Sequence, residues 1–264
     1  MKLICLVKYV PDVDNFKYDY DNNILVRENV RLLMNPDDAC AVAFALRVKA
    51  RHPETYVEIV TMGPLSVKPH MEDILRMGAD RAVIISDKLY AGSDTYATAM
   101  VLSRYLSSQK YEMILTGTQA IDGDTSHIPS QIAEYLGINQ MSGIIKMDEE
   151  KLSSNSAVFE VDSDRELTTY EMGLPAILSI TRESKYKLPY IRHSDMAKDV
   201  SSQIDTITNE ELGFTNKETG LKGSKTRVVK TYTKEFEKKD RTVVKADEEG
   251  IDFVYEFLKN KGFI

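Results

Sequence analysis

Apolar positions in the first half of the chain fall in short blocks separated by polar junctions. Leu3 to Val10 is an apolar run closed by Pro11-Asp12, as in a strand buried on both faces. Asp12 to Asn29 is polar and irregular, with a small hairpin expected around Asp21-Asn22-Asn23. Asn35-Pro36-Asp37-Asp38 opens a helix. Asn35 suits the N-cap, Pro36 the first helical position, and the aspartates the first turn, where the helix dipole favours them. That helix runs through ACAVAFALRVKAR to His52-Pro53. Tyr56 to Met62 reads as a second strand, broken by Gly63-Pro64, and a helix follows to about Met77, closed by Gly78-Ala79-Asp80. Arg81 to Ser86 is a third strand, and Ser93-Asp94-Thr95 caps the helix TYATAMVLSRYL. Tyr111 to Thr116 is a fourth strand, with its helix expected from about Thr125 to Leu136.

This alternation predicts an α/β fold with a doubly wound, mostly parallel, Rossmann-like sheet. Beyond Gly143 the pattern changes. SAVFEVDSDRELTTYEM reads as a small β hairpin around a tight Asp162-Ser163-Asp164 turn, and Leu174 to Thr181 as another apolar strand. From about Lys185 the chain is polar, and TGLKGSKTRVVKTYTKEFEKKDR is nearly all charged or small. The segment EEGIDFVYEFLKNKGFI is an amphipathic helix with Ile251, Val254, Tyr255 and Leu258 on one face. Such an extended C-terminal arm, with little core of its own, fits docking on a partner chain or packing on its own domain.

Composition narrows the chemistry. The 264 residues carry a net charge of −7, which argues against a nonspecific nucleic-acid surface. No apolar run approaches the length of a membrane span, and MKLICLVKYVPD turns charged too soon for a signal peptide, so a cytoplasmic protein is expected. Cys5 and Cys40 form no CxxC and read as small buried apolar residues. His52, His70, His127 and His193 are scattered without metal-ligand spacing, so no metal site is expected.

Doubly wound sheets bind ligands where strands exit into helices. That selects the loops Lys8 to Val13, Met62 to Ser66, Tyr90 to Thr95 and Gly117 to Thr125. The last, in GTQAIDGDTSHIPSQIAEYLG, contains no lysine or arginine. It can still hold an anion through free N–H groups and the positive end of a helix dipole. Gly117 and Gly123 allow close backbone approach or positive φ, Gln119 offers an amide, and Thr125 and Ser126 offer hydroxyls. Asp122 and Asp124 repel phosphate, and read as N–H caps or acceptors for ribose hydroxyls. A solvated turn with an Asx cap accounts for the same composition. No Walker lysine motif, G-x-G-x-x-G or nucleophile elbow occurs, so redox work would belong to a bound cofactor and no catalytic side chain is expected.

Several stretches match a known pattern in order. Lys8-Tyr-Val-Pro-Asp12 resembles "K-x-V-P-D", Asn35-Pro-Asp-Asp38 resembles "N-P-x-D", and residues 62 to 99 carry "M-G-A-D-R-A" and "G-S-D-T-x-A-T". The loop resembles "G-x-Q-A-I-D-G-D-T", Leu174-Pro175-Ala176 resembles "L-P-A", and Gly220 to Thr226 resembles "G-x-x-G-S-P-T" with Lys225 for the proline. By these residues the chain resembles the electron transfer flavoprotein β subunits over nearly its whole length. The resemblance implies an adenine-nucleotide-binding domain at 1–184, a recognition loop region at 185–199 and, at 200–264, an arm docking on the α subunit of a heterodimer. By position the family's nucleotide contacts fall on Leu6, Asn35, Pro36, Asp37, Asp38 and Met62, and on Gly117, Thr118, Gln119, Ala120, Ile121, Asp122, Gly123, Asp124, Thr125, Ser126, His127 and Ile128. Asp94 and Thr95 join this set from the loop after the third strand. The usual "N-E-P-R-Y" of the recognition loop is replaced here by Lys185-Tyr-Lys-Leu-Pro-Tyr190, and Tyr190, Ile191 and Arg192 are the contacts expected with a partner dehydrogenase.

Family members divide by what the β subunit holds. Conventional ones keep a structural AMP and resemble "Q-A-I-D-D/N-D"; electron-bifurcating ones hold a second FAD and resemble "Q-A-I-D-G-D-T". Gly123 and Thr125 place this sequence with the second form, so FAD is expected, with AMP as the alternative. The resemblance then implies NADH as hydride donor. One electron passes through the α-subunit FAD to a flavin-dependent dehydrogenase of acyl-CoA or lactate type. The other goes to ferredoxin or flavodoxin, as in an anaerobe. The alternatives are an ordinary carrier holding AMP, and a noncatalytic adenine-nucleotide-sensing module with no α subunit.

Overall fold

The computed structural model describes residues 1–12, 17–19, 24–26, 31–163, 166–226 and 242–264. It forms two compact units, Met1–Arg227 and Val228–Ile264. In the first, parallel strands alternate with helices: β1 (Lys2–Leu6), α1 (Pro36–Arg51), β6 (Tyr56–Met62), α2 (Lys68–Met77), β7 (Arg81–Ile85), α3 (Thr95–Leu106), β8 (Met113–Gly117) and α4 (Ile128–Leu136). The small strands β2 (Tyr9–Pro11), β3 (Lys17–Asp19), β4 (Ile24–Val26) and β5 (Leu32–Met34) lie between β1 and α1 in sequence. The strands β9 (Asn139–Asp148), β10 (Ser156–Asp162), β11 (Leu167–Gly173), β12 (Ala176–Ile180) and β13 (Ile204–Ile207) complete the set, with the short helices α5 (Asn209–Leu212) and α6 (Gly220–Gly223).

The main sheet has the order β11-β10-β9-β12-β8-β1-β6-β7-β13. From β12 to β13 all neighbours are parallel, whereas β9, β10 and β11 pair antiparallel as a meander at one edge. The period of two decides the layers. Leu3, Cys5 and Val7 point into a core with Phe44, Val48 and Met71 from α1 and α2. Ile4 and Leu6 point the other way, against Val101, Leu102 and Ile132 from α3 and α4. Both faces of β1 are thus covered, which is why its sequence reads as an unbroken apolar run.

The expected mostly parallel α/β sheet with an added hairpin is present, and the differences have local causes. The first strand was expected to run to Val10, but it ends at Leu6. The N–H of Lys8 is taken by the Asp38 carboxylate (2.8 Å) and its carbonyl by the N–H of Asn35 (2.9 Å), so the chain leaves the ladder there. Tyr9–Pro11 then pairs antiparallel with β5. The hairpin turn expected at Asp21-Asn22-Asn23 lies outside the described residues, although β3 and β4 on either side pair antiparallel. In the turn between β10 and β11, Asp164 likewise lies outside them.

The helix expected from about Thr125 begins at Ile128, because Asp124 (φ 50°) and Ser126 (φ 53°) take left-handed conformations that a helix cannot include. The ten-residue β9 carries no clear sequence signal: of its residues only Ile144 and Met147 are buried. Residues 200–226, read with the arm, are part of the first unit. β13 adds parallel to β7, and Val200, Leu212 and Phe214 are buried. In the second unit α7 (Glu248–Asn260) is capped by Asp247, whose side chain accepts the N–H of Gly250 (3.0 Å). Among the described residues no helix is long and apolar enough to cross a membrane.

Candidate functional site

Strand order locates the site. From β1 the chain winds outward through β6 and β7, then crosses back to β8 on the other side of β1. The loops leaving β1 and β8 therefore diverge, and the crevice between their carboxyl ends is the switch point where such sheets receive ligands. The segments at this crevice are 7–12 and 118–127.

The N-terminus of α1 ties the two exits together. Asp38, with 7% of its surface exposed, accepts the N–H of Lys8 (2.8 Å) on one oxygen and that of Gly117 (2.9 Å) on the other. Burial pushes its carboxyl up to about 7, although the hydrogen bonds it accepts favour the ionised form. Asp37 accepts the N–H of Gln119 (3.2 Å) and both the N–H and Nε of Arg182 (3.2 Å each). Burial raises its pKa too, and the Arg182 charge works against the rise. Asn35 stands at the N-cap position without capping through its side chain. Its amide nitrogen donates to the carbonyl of Gln119 (2.7 Å) and its oxygen accepts the N–H of Ile121 (3.2 Å). These three side chains, read from sequence as caps or adenosine contacts, hold the β8 exit loop in place.

Gly117 shows how tight the junction is. A Cβ there would lie 2.3 Å from the Asp38 carboxylate and 2.6 Å from its backbone nitrogen. Its close approach is to α1, so this glycine serves helix–strand packing. Gly123 differs: a Cβ there would meet nothing within 4 Å, and the left-handed φ values fall on Asp124 and Ser126 instead. Residues 122–127 are exposed, forming a polar loop with open space over Gly123. The two aspartates are occupied without capping anything. Lys8 Nζ lies 2.7 Å from both oxygens of Asp122, and the Gln119 amide donates to Asp124 (2.7 Å). An ion pair this exposed, 50% for Lys8 and 32% for Asp122, contributes at most about 1 kcal/mol.

The remaining candidates fall into place around this loop. Leu6 is buried at the end of β1, Met62 is half-buried at the end of β6, and Pro36 opens α1. Thr118 is knitted into the sheet, donating to the Ser179 carbonyl (3.3 Å) and accepting the N–H of Gly143 (3.3 Å). Gly123 and Asp124 donate their N–H groups back to Ala120, closing the turn before the exposed Thr125 and Ser126. His127 is exposed before α4, and Ile128 opens that helix, half-buried against the core. Asp94 and Thr95 stand apart, after β7. One Asp94 oxygen caps α3 at Ala97 (3.0 Å) and the other accepts the N–H groups of Lys225 (2.8 Å) and Thr226 (2.7 Å) and the Thr226 hydroxyl (2.9 Å). Its carboxyl, opposed by burial, is nonetheless held below the usual range by these bonds. Asp94 thus fastens the segment that resembles "G-x-x-G-S-P-T".

Sequence reasoning missed Lys8 and Arg182 as neighbours of the loop. Lys8 stands in the "K-x-V-P-D" stretch, so a strand-exit position was legible, but its pairing across 114 residues was not. The expected partner-contact segment is anchored by Tyr186. Its ring packs on Phe44 (5.6 Å between centroids), its carbonyl accepts the Cys40 thiol (3.3 Å), and its hydroxyl accepts the N–H of Met147 (3.0 Å). Beyond this anchor Tyr190 is 97% exposed, Arg192 is exposed and Ile191 is half-buried.

The sequence is also similar to known proteins. The family model described as "Electron transfer flavoprotein domain" matches residues 22–205. An electron transfer flavoprotein subunit beta from Thermoanaerobacterium thermosaccharolyticum is 31% identical over the whole of both chains. The caffeyl-CoA reductase-Etf complex subunit CarD of Acetobacterium woodii is 32% identical over 88% of each chain. The acryloyl-CoA reductase electron transfer subunit gamma of Anaerotignum propionicum is 30% identical, also over 88% of each. With the doubly wound sheet and the β1/β8 crevice in place, these matches establish that the chain belongs to the electron transfer flavoprotein family, as a protein of the β-subunit type.

Proposed function

We propose that this chain is the β subunit of a cytoplasmic, electron-bifurcating flavoprotein and binds FAD at the β1/β8 crevice, with NADH as donor. The observation that carries the reading is the loop 117–127. Its base is fixed by Asn35, Asp37 and Asp38, while its tip is polar, exposed and free of side-chain volume over Gly123. The residues fit a dinucleotide: the open space over Gly123 and the backbone at the start of α4 for the diphosphate, Thr125 and Ser126 as hydroxyl donors, and Asp124 as an acceptor for ribose. The bound flavin would supply hydride acceptance and one-electron chemistry. The chain's own residues bind and orient it, and the backbone dipoles at the crevice set its electrostatic surroundings.

Partners follow from the same reading: an α subunit carrying its own FAD and held by the 228–264 arm, ferredoxin or flavodoxin, and a flavin-dependent dehydrogenase met by Tyr190, Ile191 and Arg192. The relatives named for caffeyl-CoA and acryloyl-CoA reductases favour the acyl-CoA type of dehydrogenase over the lactate type. The test is to quantify FAD and AMP released from the purified αβ complex and to titrate it anaerobically with NADH. Two flavins per dimer, both bleached by NADH, are expected. One flavin plus one AMP would leave an ordinary carrier. Gly123→Val should lower β-site FAD occupancy without unfolding the chain.

A further inference from the structure

We propose that Lys8 is the phosphate-recognising cation of the nucleotide site and that Asp122 is its built-in competitor. The inference rests on the placement of the nucleotide at the β1/β8 crevice and adds to it a charge that the loop itself lacks. Its tip presents Asp122 and Asp124 and no basic residue, which is an unfavourable field for a phosphate. The fold corrects this from elsewhere in the chain.

Three observations place Lys8 for the task. Its backbone is fixed on both sides, by Asp38 at its N–H and by Asn35 at its carbonyl. Tyr9 beyond it pairs with Met34 and stacks on His70 at 5.0 Å. Its freedom is therefore confined to the side chain, which reaches from the β1 exit to the β8 exit loop and is half exposed. The ammonium sits 2.7 Å from both Asp122 oxygens, next in sequence to Gly123, where no side chain intrudes. Because the pair is solvent-exposed, giving it up costs little. A phosphate carries more negative charge than a carboxylate and takes charge-assisted hydrogen bonds well, so it draws the ammonium away from Asp122.

The alternative is that the pair only tethers the loop. The two roles make opposite predictions. A tether is broken equally by removing either partner, so Lys8→Gln and Asp122→Asn would act in the same direction. A competitor behaves otherwise: Asp122→Asn frees the ammonium and relieves repulsion, whereas Lys8→Gln removes the only attraction the pair offers a phosphate.

The experiment uses the αβ complex with its β-site nucleotide exchanged out, titrated calorimetrically with adenosine, AMP and ADP. Lys8→Gln should weaken ADP binding about tenfold or more, and AMP binding clearly, with adenosine unchanged. Lys8→Arg, which keeps the charge, should restore the preference for phosphate, and Asp122→Asn should tighten ADP binding several-fold. The inference is overturned if Lys8→Gln weakens adenosine as much as ADP, or if both substitutions move ADP binding the same way. Should Lys8→Gln fail to fold, the opposite signs expected of Asp122→Asn and of added salt on ADP binding still decide the matter. Finding AMP in place of a second flavin would sink the FAD reading and leave this phosphate ladder intact, so the two failures are separable.

Discussion

The two ends of the same parallel sheet treat charge in opposite ways. At the amino end, Glu58 is fully buried in β6 and is met by Lys2 Nζ (3.0 Å), Arg81 Nη1 (3.2 Å) and the donating hydroxyl of Tyr105 (2.8 Å). Arg81 is also paired with Asp205 of the edge strand (2.6 Å). Burial and the adjacent carboxylate push the Tyr105 hydroxyl well up, so it stays a donor. At the carboxyl end, the buried carboxyls of Asp37 and Asp38 bind backbone N–H groups, Asp37 also meets the Arg182 guanidinium (3.2 Å), and the Lys8–Asp122 pair stands in solvent. One end closes the sheet with side chain against side chain. The other uses side chains to position a loop and leaves the loop's own groups available. Desolvated groups must be matched to hold the fold, and groups meant to exchange partners must stay wet.

Four substitutions sharpen this contrast. The largest effect is expected at the amino end: Glu58→Ala takes the buried acceptor from Lys2 and Tyr105 and leaves Arg81 with Asp205 alone, and should cost about 3–5 kcal/mol in urea unfolding of the full chain. A loss below about 1 kcal/mol would mean that the network is not closed. At the carboxyl end, Gly117→Ala drives a methyl group into Asp38 and should cost about 1–3 kcal/mol, with nucleotide content falling because the loop is lifted from α1.

Asp38→Asn removes one acceptor for two N–H groups and should cost about 1–3 kcal/mol. The pH dependence adds a signature. The native carboxyl titrates at about 7, above the ordinary range near 4, so its stabilising contribution is complete below that range and is lost as pH rises through about 7. The stability gap between wild type and Asp38→Asn should therefore shrink from acid to neutral pH; a constant gap in thermal midpoints would contradict the burial of this carboxyl. Gly123→Ala should be the smallest effect, within about 0.5 kcal/mol, since its new methyl meets no protein atom.

Much of the scaffold was legible beforehand. The β1, β6, β7 and β8 cores, the Pro36 start of α1 and the Asp94 cap of α3 were all readable from apolar runs and capping residues. β9 was not, because an amphipathic strand joining a parallel sheet to an antiparallel hairpin shows neither a continuous apolar run nor a clean alternation. Nor was the inclusion of 200–226 in the first unit, since an edge strand with two half-buried isoleucines carries little hydrophobic signal. At the candidate site the exit loop was legible as a strand-to-helix turn, but its contacts within the protein were not: Gly117 packs against α1, and Asp122 and Asp124 meet Lys8 and Gln119.

The sequence by itself determined the alternation of strands and helices, the exits where a ligand could lie and the family to which the chain belongs. These are local or colinear properties, written in period, capping residues and ordered motifs. The tertiary structure alone decided which distant groups share the crevice, joining Asp38 to Gly117, Asn35 to Ile121 and Lys8 to Asp122. Such pairings depend on strand order and on the packing of α1 across β1 and β8, and neither the spacing nor the composition of the linear chain encodes a distance between residues so far apart.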